Sequence, residues 1–246
     1  MSYKSYFNWS GGKDSALALY HAMKDPNYKI ERLLTNINNQ YCRVSMHGVR
    51  EELVEQQAKA IGLPLQTLAL PDQPTMEDYE YYMTTTLQGL KEEAFTHALF
   101  GDIFLEDLKK YREAQLAKIG FTAVFPLWKK DTKELLHEFI DLGFKTILVC
   151  IKAEVLHHSF AGRIIDKDFI KDLPSNVDAC GEHGEFHSFV FDGPIFSQPI
   201  AYEKGEVVFR DYKSPEKKSD RCFTNQPPRP SSMGFWFCDL LPVQKK

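Results

Sequence analysis

The chain contains 246 residues, of which 43% are hydrophobic and 26% are charged, and this balance is typical of a globular protein with a buried core. A net charge of −4 gives no general attraction to nucleic acid, and no apolar run approaches the roughly 20 residues of a membrane helix. The five cysteines are scattered without a C-x-x-C pair and no secretory signal pattern is visible, so we expect a cytoplasmic protein.

Short apolar segments alternate with helical periodicities from the N-terminus to about residue 153. In the first helical segment, Ala16, Leu19, Tyr20 and Met23 recur at spacings of three and four, which predicts one buried helix face. Gly62 and Asp131 are expected to end and begin helices. The sequence predicts strands at 5–9, 29–38, 65–70, 96–102, 121–127 and 144–153, and helices at 13–24, 48–62, 75–94, 104–120 and 131–143.

This alternation predicts an α/β fold with a parallel sheet and helices on both faces. From about Cys180 the pattern changes to glycine turns and alternating aromatic residues, which favour hairpins and hence a smaller C-terminal α/β or β-rich domain. The last segment, 222–246, is rich in proline and then in aromatic residues, and we expect it to dock on the body of the protein.

A glycine pair with a lysine lies between the first predicted strand and the first predicted helix, in SGGKDS (residues 10–15). Such glycines let backbone N–H groups face an anion, and the helix N-terminus and Lys13 add positive charge. Ser10 and Ser15 can donate hydrogen bonds, and Asp14 could position Mg²⁺. The spacing matches neither the Walker A pattern nor G-x-G-x-x-G. A purely steric turn is the structural alternative to a phosphate site.

The SGGKDS segment resembles the S-G-G-x-D-S loop of the N-type ATP pyrophosphatases, a superfamily with a HUP-like fold. The resemblance implies that the loop grips the β- and γ-phosphates of ATP, that pyrophosphate leaves, and that the α-phosphate forms an adenylate on an acceptor oxygen. Ammonia, sulfur or an amine then displaces AMP. Paired cysteines, which the tRNA-thiolating branches generally need, are absent, and we expect no nucleic-acid partner.

Further motifs resemble the diphthine–ammonia ligase family over roughly residues 5–200. These motifs are SMHGVR (45–50), Gly101-Asp102, AGR (161–163) and CGEHGEFHSFVFDGPIF (180–196). The resemblance implies ATP-driven amidation of the diphthine carboxylate on elongation factor 2, with ammonium as the nitrogen source. We expect an ATP-binding domain at 1–125, a substrate-binding domain at 126–212 and, from the composition of the C-terminal segment, a linker with a docking tail at 213–246. A homodimer is left open.

Three departures from the family pattern leave the acceptor open. The family often has G-A-I where this chain has Gly101-Asp102-Ile103, often has His-x-Pro-Asn at 47–50, and usually has leucine at Ala161. The alternatives are a related enzyme with another acceptor, such as a small carboxylate in a source that lacks diphthamide, and an adenine-nucleotide-binding protein without catalysis.

The resemblance assigns roles to individual residues. The expected ATP-binding residues are Ser10, Gly11, Gly12, Lys13, Asp14, Ser15, His47, Gly101 and Asp102. The expected catalytic residues are Lys13, Asp14, Glu182 and Glu185, with Asp14 as the candidate Mg²⁺ ligand. The expected substrate-binding residues are Arg163, Gly181, Glu182, Gly184 and Glu185.

Each assignment has a plainer alternative. Asp102 could cap a helix or a turn, Arg163 could form a surface ion pair, and residues 181–185 could be a polar hairpin tip. Arg112 and Glu113 are predicted to lie on a solvated, salt-bridged helix face. His183 and His187 could bind zinc together with Glu182, but the H-E-x-x-H pattern is absent, which disfavours zinc.

Overall fold

The computed structural model describes residues 2–45, 47–71, 74–213 and 232–243. Its strands are β1 (Tyr3–Asn8), β2 (Tyr28–Asn38), β3 (Arg43–Val44), β4 (Leu65–Leu70), β5 (His97–Leu99), β6 (Thr122–Val124), β7 (Lys145–Lys152), β8 (Phe186–Asp192), β9 (Tyr202–Lys213) and β10 (Ser232–Pro242). Its α-helices are α1 (Lys13–Lys24), α2 (Glu51–Ile61), α3 (Met76–Glu92), α4 (Glu106–Ile119), α5 (Thr132–Asp141) and α6 (Lys167–Asp172).

The first sheet has the strand order β3-β2-β1-β5-β6, and β4 also pairs with β2. All of its pairings are parallel except that of β3, a two-residue strand antiparallel to β2 that the sequence pattern did not predict. Since β1 and β5 are parallel neighbours, their carboxyl ends meet at one edge. This edge brings the segment after β1 beside Gly101, and the predicted parallel α/β sheet is confirmed.

The second sheet is antiparallel, with the order β8-β7-β10-β9. Its central strand β7 is buried over six consecutive residues, because both of its faces are covered. A separate, smaller sheet of this kind agrees with the expected C-terminal domain. Residues 214–231 and 244–246, which belong to the predicted linker and docking tail, lie outside the described residues.

The largest hydrophobic core belongs to both sheets. Phe7 and Leu33 from the first sheet belong to the same buried cluster as Ile147 and Phe189 from the second. A smaller cluster lies under α3 and α4. The shared core holds the carboxyl end of β1 against β8, which is the arrangement that builds the site described below.

The expected helix ends are present at two positions. Asp131 caps α5 by accepting hydrogen bonds from Lys133 N at 2.9 Å and Glu134 N at 3.0 Å. Gly62 ends α2 with a φ of 82°, a left-handed conformation that favours glycine. Over the part of the chain that the structure describes, none of the helices combines the length and the apolar character needed to cross a membrane.

Candidate active site

The segment Ser10–Ser15, called the phosphate loop from here on, folds back on itself between β1 and α1. The hydroxyl groups of Ser10 and Ser15 lie 2.8 Å apart, and Gly12 N donates to Ser10 Oγ at 3.3 Å. Gly11 has a φ of 78°, and a Cβ at this position would lie 2.7 Å from Gln57 Oε1, so the site requires glycine. The amide groups at a helix N-terminus have no partner within the helix and are suited to an anion.

Strand β8 docks directly on the phosphate loop. Val190 N donates to Gly11 O at 2.9 Å, and Lys13 N donates to Ser188 Oγ at 3.1 Å. These contacts join SGGKDS to CGEHGEFHSFVFDGPIF, which are about 175 residues apart in the chain. The two most specific sequence motifs therefore form one site.

Gln57 on α2 links the two segments, and sequence reasoning missed it. Its side chain is fully buried, and its amide nitrogen donates to Gly11 O at 3.0 Å and to Val190 O at 2.6 Å. Its amide oxygen accepts a hydrogen bond from Trp9 Nε1 at 2.9 Å. The available signal was a polar residue four positions after Leu53 on the apolar face of the predicted helix.

Lys13 is buried, with 4% of its surface exposed. Its ammonium group donates to both carboxylate oxygens of Asp14, at 2.7 and 2.8 Å, and to the carbonyl oxygen of Cys180. Burial alone would lower the pKa of Lys13, but the adjacent Asp14 outweighs burial and raises that pKa. Lys13 is therefore a charged ammonium group that is paired with Asp14 within the loop.

The end of β5 contacts the start of α1 so closely that Gly101 is required there. A Cβ at Gly101 would lie 2.9 Å from Ser15 N and 3.0 Å from the carbonyl carbon of Asp14. Asp102 follows, and its Oδ2 lies 3.0 Å from Arg112 Nε. Burial raises the pKa of Asp102 despite this ion pair. Asp102 therefore lies beside the phosphate loop.

Arg112 was predicted to lie on a solvated, salt-bridged helix face, but in the structure its side chain is mostly covered. Three quarters of its side chain is covered, since 25% is exposed, and the guanidinium lies 4.4 Å from the centre of the Phe100 ring. The ion-pair partner is Asp102 at the edge of the site, so the packing of α4 on β5 turns this arginine inward. Helical periodicity alone does not show this, because Arg112 is one polar residue among many on α4.

Glu182 and Glu185 occupy one turn but face different partners. Glu182 Oε1 accepts hydrogen bonds from Ile103 N at 2.8 Å and Phe104 N at 3.4 Å, in the segment after Asp102. Burial raises the pKa of Glu182 to about 7. Glu185 instead accepts from Asp178 N at 3.1 Å and His183 N at 2.9 Å, so both of its oxygens hold the turn itself.

Residues 178–185, called the acidic turn from here on, are held by side chains at both ends. Asp178 Oδ2 accepts from Cys180 N at 2.9 Å and from Glu182 N at 3.1 Å. Gly181 and Gly184 have φ values of 70° and 78°, which explains the two glycines of the motif by backbone geometry. This geometry supports a conformational role for the glycines, and their predicted contact with substrate stays a prediction.

Two histidines flank the phosphate loop. The ring centres of His47 and His187 lie 4.5 Å apart, and a Cβ at Gly12 would lie 3.3 Å from His47 Nε2. Burial lowers the pKa of His47 to about 4 and that of His187 well below its usual value, so both rings are neutral at pH 7. His47 therefore lies beside Gly12 of the phosphate loop, and its predicted contact with nucleotide stays a prediction.

His183 and His187, the two histidines of the zinc alternative, have different neighbours. His183 is exposed, and its ring lies 5.1 Å from that of Phe104, whereas His187 faces His47. Among the described residues, no group of three or more His, Cys, Asp or Glu side chains is arranged to hold a metal ion. The geometry gives the zinc alternative no support.

Arg163 forms an ion pair, which is the alternative to a role in substrate binding. Its guanidinium donates to Asp172 Oδ2 at 2.6 Å and lies 5.3 Å from the centre of the Phe160 ring. These neighbours belong to the second domain rather than to the phosphate loop. The predicted role of Arg163 in substrate binding stays a prediction.

Comparisons with known proteins show which family the chain resembles over both domains. The family model of the diphthamide synthase N-terminal domain matches residues 3–122, and that of the C-terminal domain matches residues 131–214. A diphthine–ammonia ligase of Danio rerio is 26% identical over 226 residues, which cover 81% of this chain and 86% of the relative.

Two further relatives carry the same name. A diphthine–ammonia ligase of Schizosaccharomyces pombe is 24% identical and matches 81% of this chain but 36% of its own length. That of Bos taurus is 26% identical over 50% of this chain and 48% of its own length. Because the two family models together match most of the residues, including the phosphate loop and the acidic turn, the chain belongs to the diphthamide synthase family.

Proposed function

We propose that the chain amidates an acceptor carboxylate with ammonia in a reaction driven by ATP. As a member of the diphthamide synthase family it is an ATP-dependent ligase. The observation that carries the proposal is the junction of the phosphate loop with β8 and with the acidic turn, in which Lys13 donates to Ser188 Oγ and to the carbonyl oxygen of Cys180. The junction supports the proposal because it brings Lys13, the proposed phosphate-binding residue, near the carboxylate of Glu182, whose pKa of about 7 suits proton transfer.

In the first step, an acceptor carboxylate oxygen attacks the α-phosphorus of ATP. The bond between the α-phosphorus and the oxygen that bridges to the β-phosphate breaks, and pyrophosphate leaves with the electron pair. Lys13 and the loop amides stabilise the charge that builds up on pyrophosphate. For this, the Lys13 ammonium exchanges its present contacts with Asp14 and Cys180 for phosphate oxygens.

Mg²⁺ is proposed to enter with the nucleotide. Mg²⁺ is usually bound through one or two carboxylates together with substrate phosphates, rather than by an all-protein cage. The Asp14 carboxylate contributes to the raised pKa of Asp102, so these two neighbouring carboxylates fit this mode as candidate ligands. When bound there, the ion would neutralise charge on the phosphates.

In the second step, ammonia attacks the carbonyl carbon of the acyl adenylate, and the bond from that carbon to the AMP oxygen breaks. Ammonium must lose a proton before its nitrogen can attack, and the nitrogen loses another as the amide forms. Glu182 is the proposed acceptor of such a proton. Glu185, whose two oxygens are held by backbone amides, is proposed to keep the acidic turn in place.

Diphthine is the acceptor that the relatives' name indicates for those proteins. We propose the same acceptor here, with a small free carboxylate as the alternative if the source makes no diphthamide. Asp102 bears on this choice, because this chain has an aspartate, paired with Arg112, at the position beside the phosphate loop where the resembling family often has alanine.

The reaction is tested by incubating the protein with ATP, Mg²⁺, ammonium and either diphthine-bearing elongation factor 2 or a panel of small carboxylates. We expect AMP and pyrophosphate to accumulate in equal amounts with one acceptor. Lys13→Ala is expected to lower the rate by about 10²- to 10³-fold. Lys24→Ala, at the exposed end of the same helix, is the matched control and should leave the rate unchanged.

Two results would count against the proposal. Formation of ADP and phosphate would show cleavage at the other phosphate bond. Tight ATP binding without turnover of any acceptor would favour a nucleotide-binding protein without catalysis.

A further inference from the structure

Strand β10 reaches from the second sheet to a turn beside the phosphate loop. Its Asp239 carboxylate pairs with two arginines, Arg43 on β3 and Arg50 just before α2. Arg43 Nη1 lies 2.8 Å from Asp239 Oδ1, and Arg50 Nη2 lies 2.7 Å from Asp239 Oδ2. One carboxylate thus joins both ends of the segment 43–50.

The same segment is closed by its own backbone. Val44 N donates to Val49 O at 2.7 Å, and Gly48 N donates to Val44 O at 3.0 Å. Arg43 Nη1 also donates to Gly48 O at 2.6 Å, so Arg43, which pairs with Asp239, also stabilises the turn directly. His47 precedes Gly48 in this turn, and its position therefore depends on these contacts.

A second side chain of β10 covers the turn. The Phe237 ring lies so close to Gly48 that a Cβ there would be 3.2 Å from the ring, and Gly48 has a φ of 71°. The turn is thus held by an apolar contact and a charged one, two residues apart on the same strand.

The charged contact persists at neutral pH. Burial of Asp239 opposes ionisation, but the hydrogen bonds from Arg43 and Arg50 outweigh burial and lower the pKa of Asp239 to about 2. Without this carboxylate, two neighbouring guanidinium groups would repel each other across the turn. The matched family models end at residue 214, so this contact comes from a strand outside them.

We propose that Asp239 is a positioning residue that holds His47 over the phosphate loop by clamping Arg43 and Arg50. The inference deepens the proposed function, because it gives the C-terminal strand a part in shaping the nucleotide site. Asp239 itself contacts the two arginines rather than the loop, and its effect on ATP reaches the loop through His47.

The test compares Asp239→Asn, Asp239→Glu, His47→Ala and the double variant Asp239→Asn/His47→Ala in the full chain. ATP affinity is measured by calorimetry without acceptor. We expect Asp239→Asn to weaken ATP binding about tenfold, a typical coupling for residues in one network. The double variant should bind no more weakly than His47→Ala, and Asp239→Glu should recover part of the affinity. Asp211→Asn, an exposed aspartate on the neighbouring strand β9, is the matched control.

A second readout does not depend on ATP. NMR of histidine-labelled protein should show the His47 ring signals shifted in Asp239→Asn but not in Asp211→Asn. Unchanged His47 signals, or equal losses of affinity with and without His47, would overturn the inference. If the wild type binds no ATP while the His47 signals respond as expected, the proposed function fails and the clamp stands.

If Asp239→Asn does not fold, Arg50→Lys replaces it. Arg50→Lys keeps the charge but loses the planar fork that spans both carboxylate oxygens. The same shift of the His47 signals is expected, and its absence in a folded Arg50→Lys protein would overturn the clamp.

Discussion

At the acidic turn, two carboxylates of the same motif differ in chemistry because their surroundings differ. Both Glu185 oxygens accept backbone hydrogen bonds and are committed to the turn. Glu182 is partly buried near Asp14 and Asp102, and burial raises its pKa to about 7. One glutamate therefore shapes the site, and the other is poised to exchange a proton near neutral pH.

The raised pKa of Glu182 predicts a pH profile. Only the ionised carboxylate can accept a proton, so AMP release should rise with pH through about 7 and then level off. The measurement is made at a constant concentration of free ammonia, so that the titration of ammonium itself does not contribute. Glu182→Gln should release AMP slowly and without the rise near pH 7. Glu113→Gln, at an exposed position on α4, should keep that rise. A wild-type profile without a rise near pH 7 would contradict the assignment.

The buried hydrogen bonds of Gln57 predict that its replacement destabilises the protein. Replacing it by leucine leaves Trp9 Nε1, Gly11 O and Val190 O without their buried partner. Gln57→Leu should lower the free energy of unfolding by about 2 kcal/mol or more, because unpaired buried polar groups are costly. Urea unfolding measures this, with the less buried neighbour Gln56→Leu as control. Equal stabilities of the two variants would show that the bridge contributes little.

At the scale of elements, the site depends on close contacts between α1, β5 and β8. Gly101 allows the end of β5 to approach the first turn of α1, and Ser188 of β8 accepts from the first amide of that helix. These are contacts of backbone with backbone or with a short side chain, so the elements have little freedom to shift without altering the phosphate loop.

Gly101→Ala tests this contact. The added methyl would lie 2.9 Å from Ser15 N and must displace backbone, so we expect a loss of about 1–3 kcal/mol in the free energy of unfolding and weaker ATP binding. Gly89→Ala, inside α3 with open space around it, is the control and should stabilise the protein by about 0.5–1 kcal/mol. Unfolding in urea measures the free energy of unfolding, and calorimetry measures the affinity for ATP. A neutral Gly101→Ala would show that β5 can move away freely.

At the scale of the whole molecule, the two sheets share a hydrophobic core. Phe7 and Leu19 from the first domain belong to the same cluster as Phe139 and Phe189 from the second. The predicted domain boundary near 125 stays a prediction, and this core includes residues from both sides of it. We therefore expect the described parts of the chain to be stable together rather than separately.

This shared core predicts cooperative unfolding. Far-UV circular dichroism reports mainly the helices of the first domain. In a Trp9→Phe/Trp128→Phe protein, tryptophan fluorescence reports Trp236 on β10. Both signals should follow one urea transition with the same midpoint. Phe189→Ala, which opens the core on the second-sheet side, should move both midpoints equally. Two separate transitions would show that the domains unfold independently.

Much of the fold was predictable because it depends on local patterns. Alternating strand and helix periodicities predicted the parallel sheet, and Gly62 and Asp131 predicted two helix ends. The candidate site was predictable where it coincides with motifs of unusual composition, such as the phosphate loop and the acidic turn. Gln57 and Arg112 were missed, because their importance arises from partners that are distant in the chain.

The sequence by itself determined the phosphate loop, the class of fold and the family resemblance, since these depend on residue types and spacings within short segments. Only the tertiary structure decided that β8 docks on Gly11, that Glu182 and Glu185 have separate partners, and that Asp239 reaches the turn of His47. The physical reason is that burial, hydrogen bonding and pKa depend on neighbours in space, and in this protein those neighbours come from both ends of the chain.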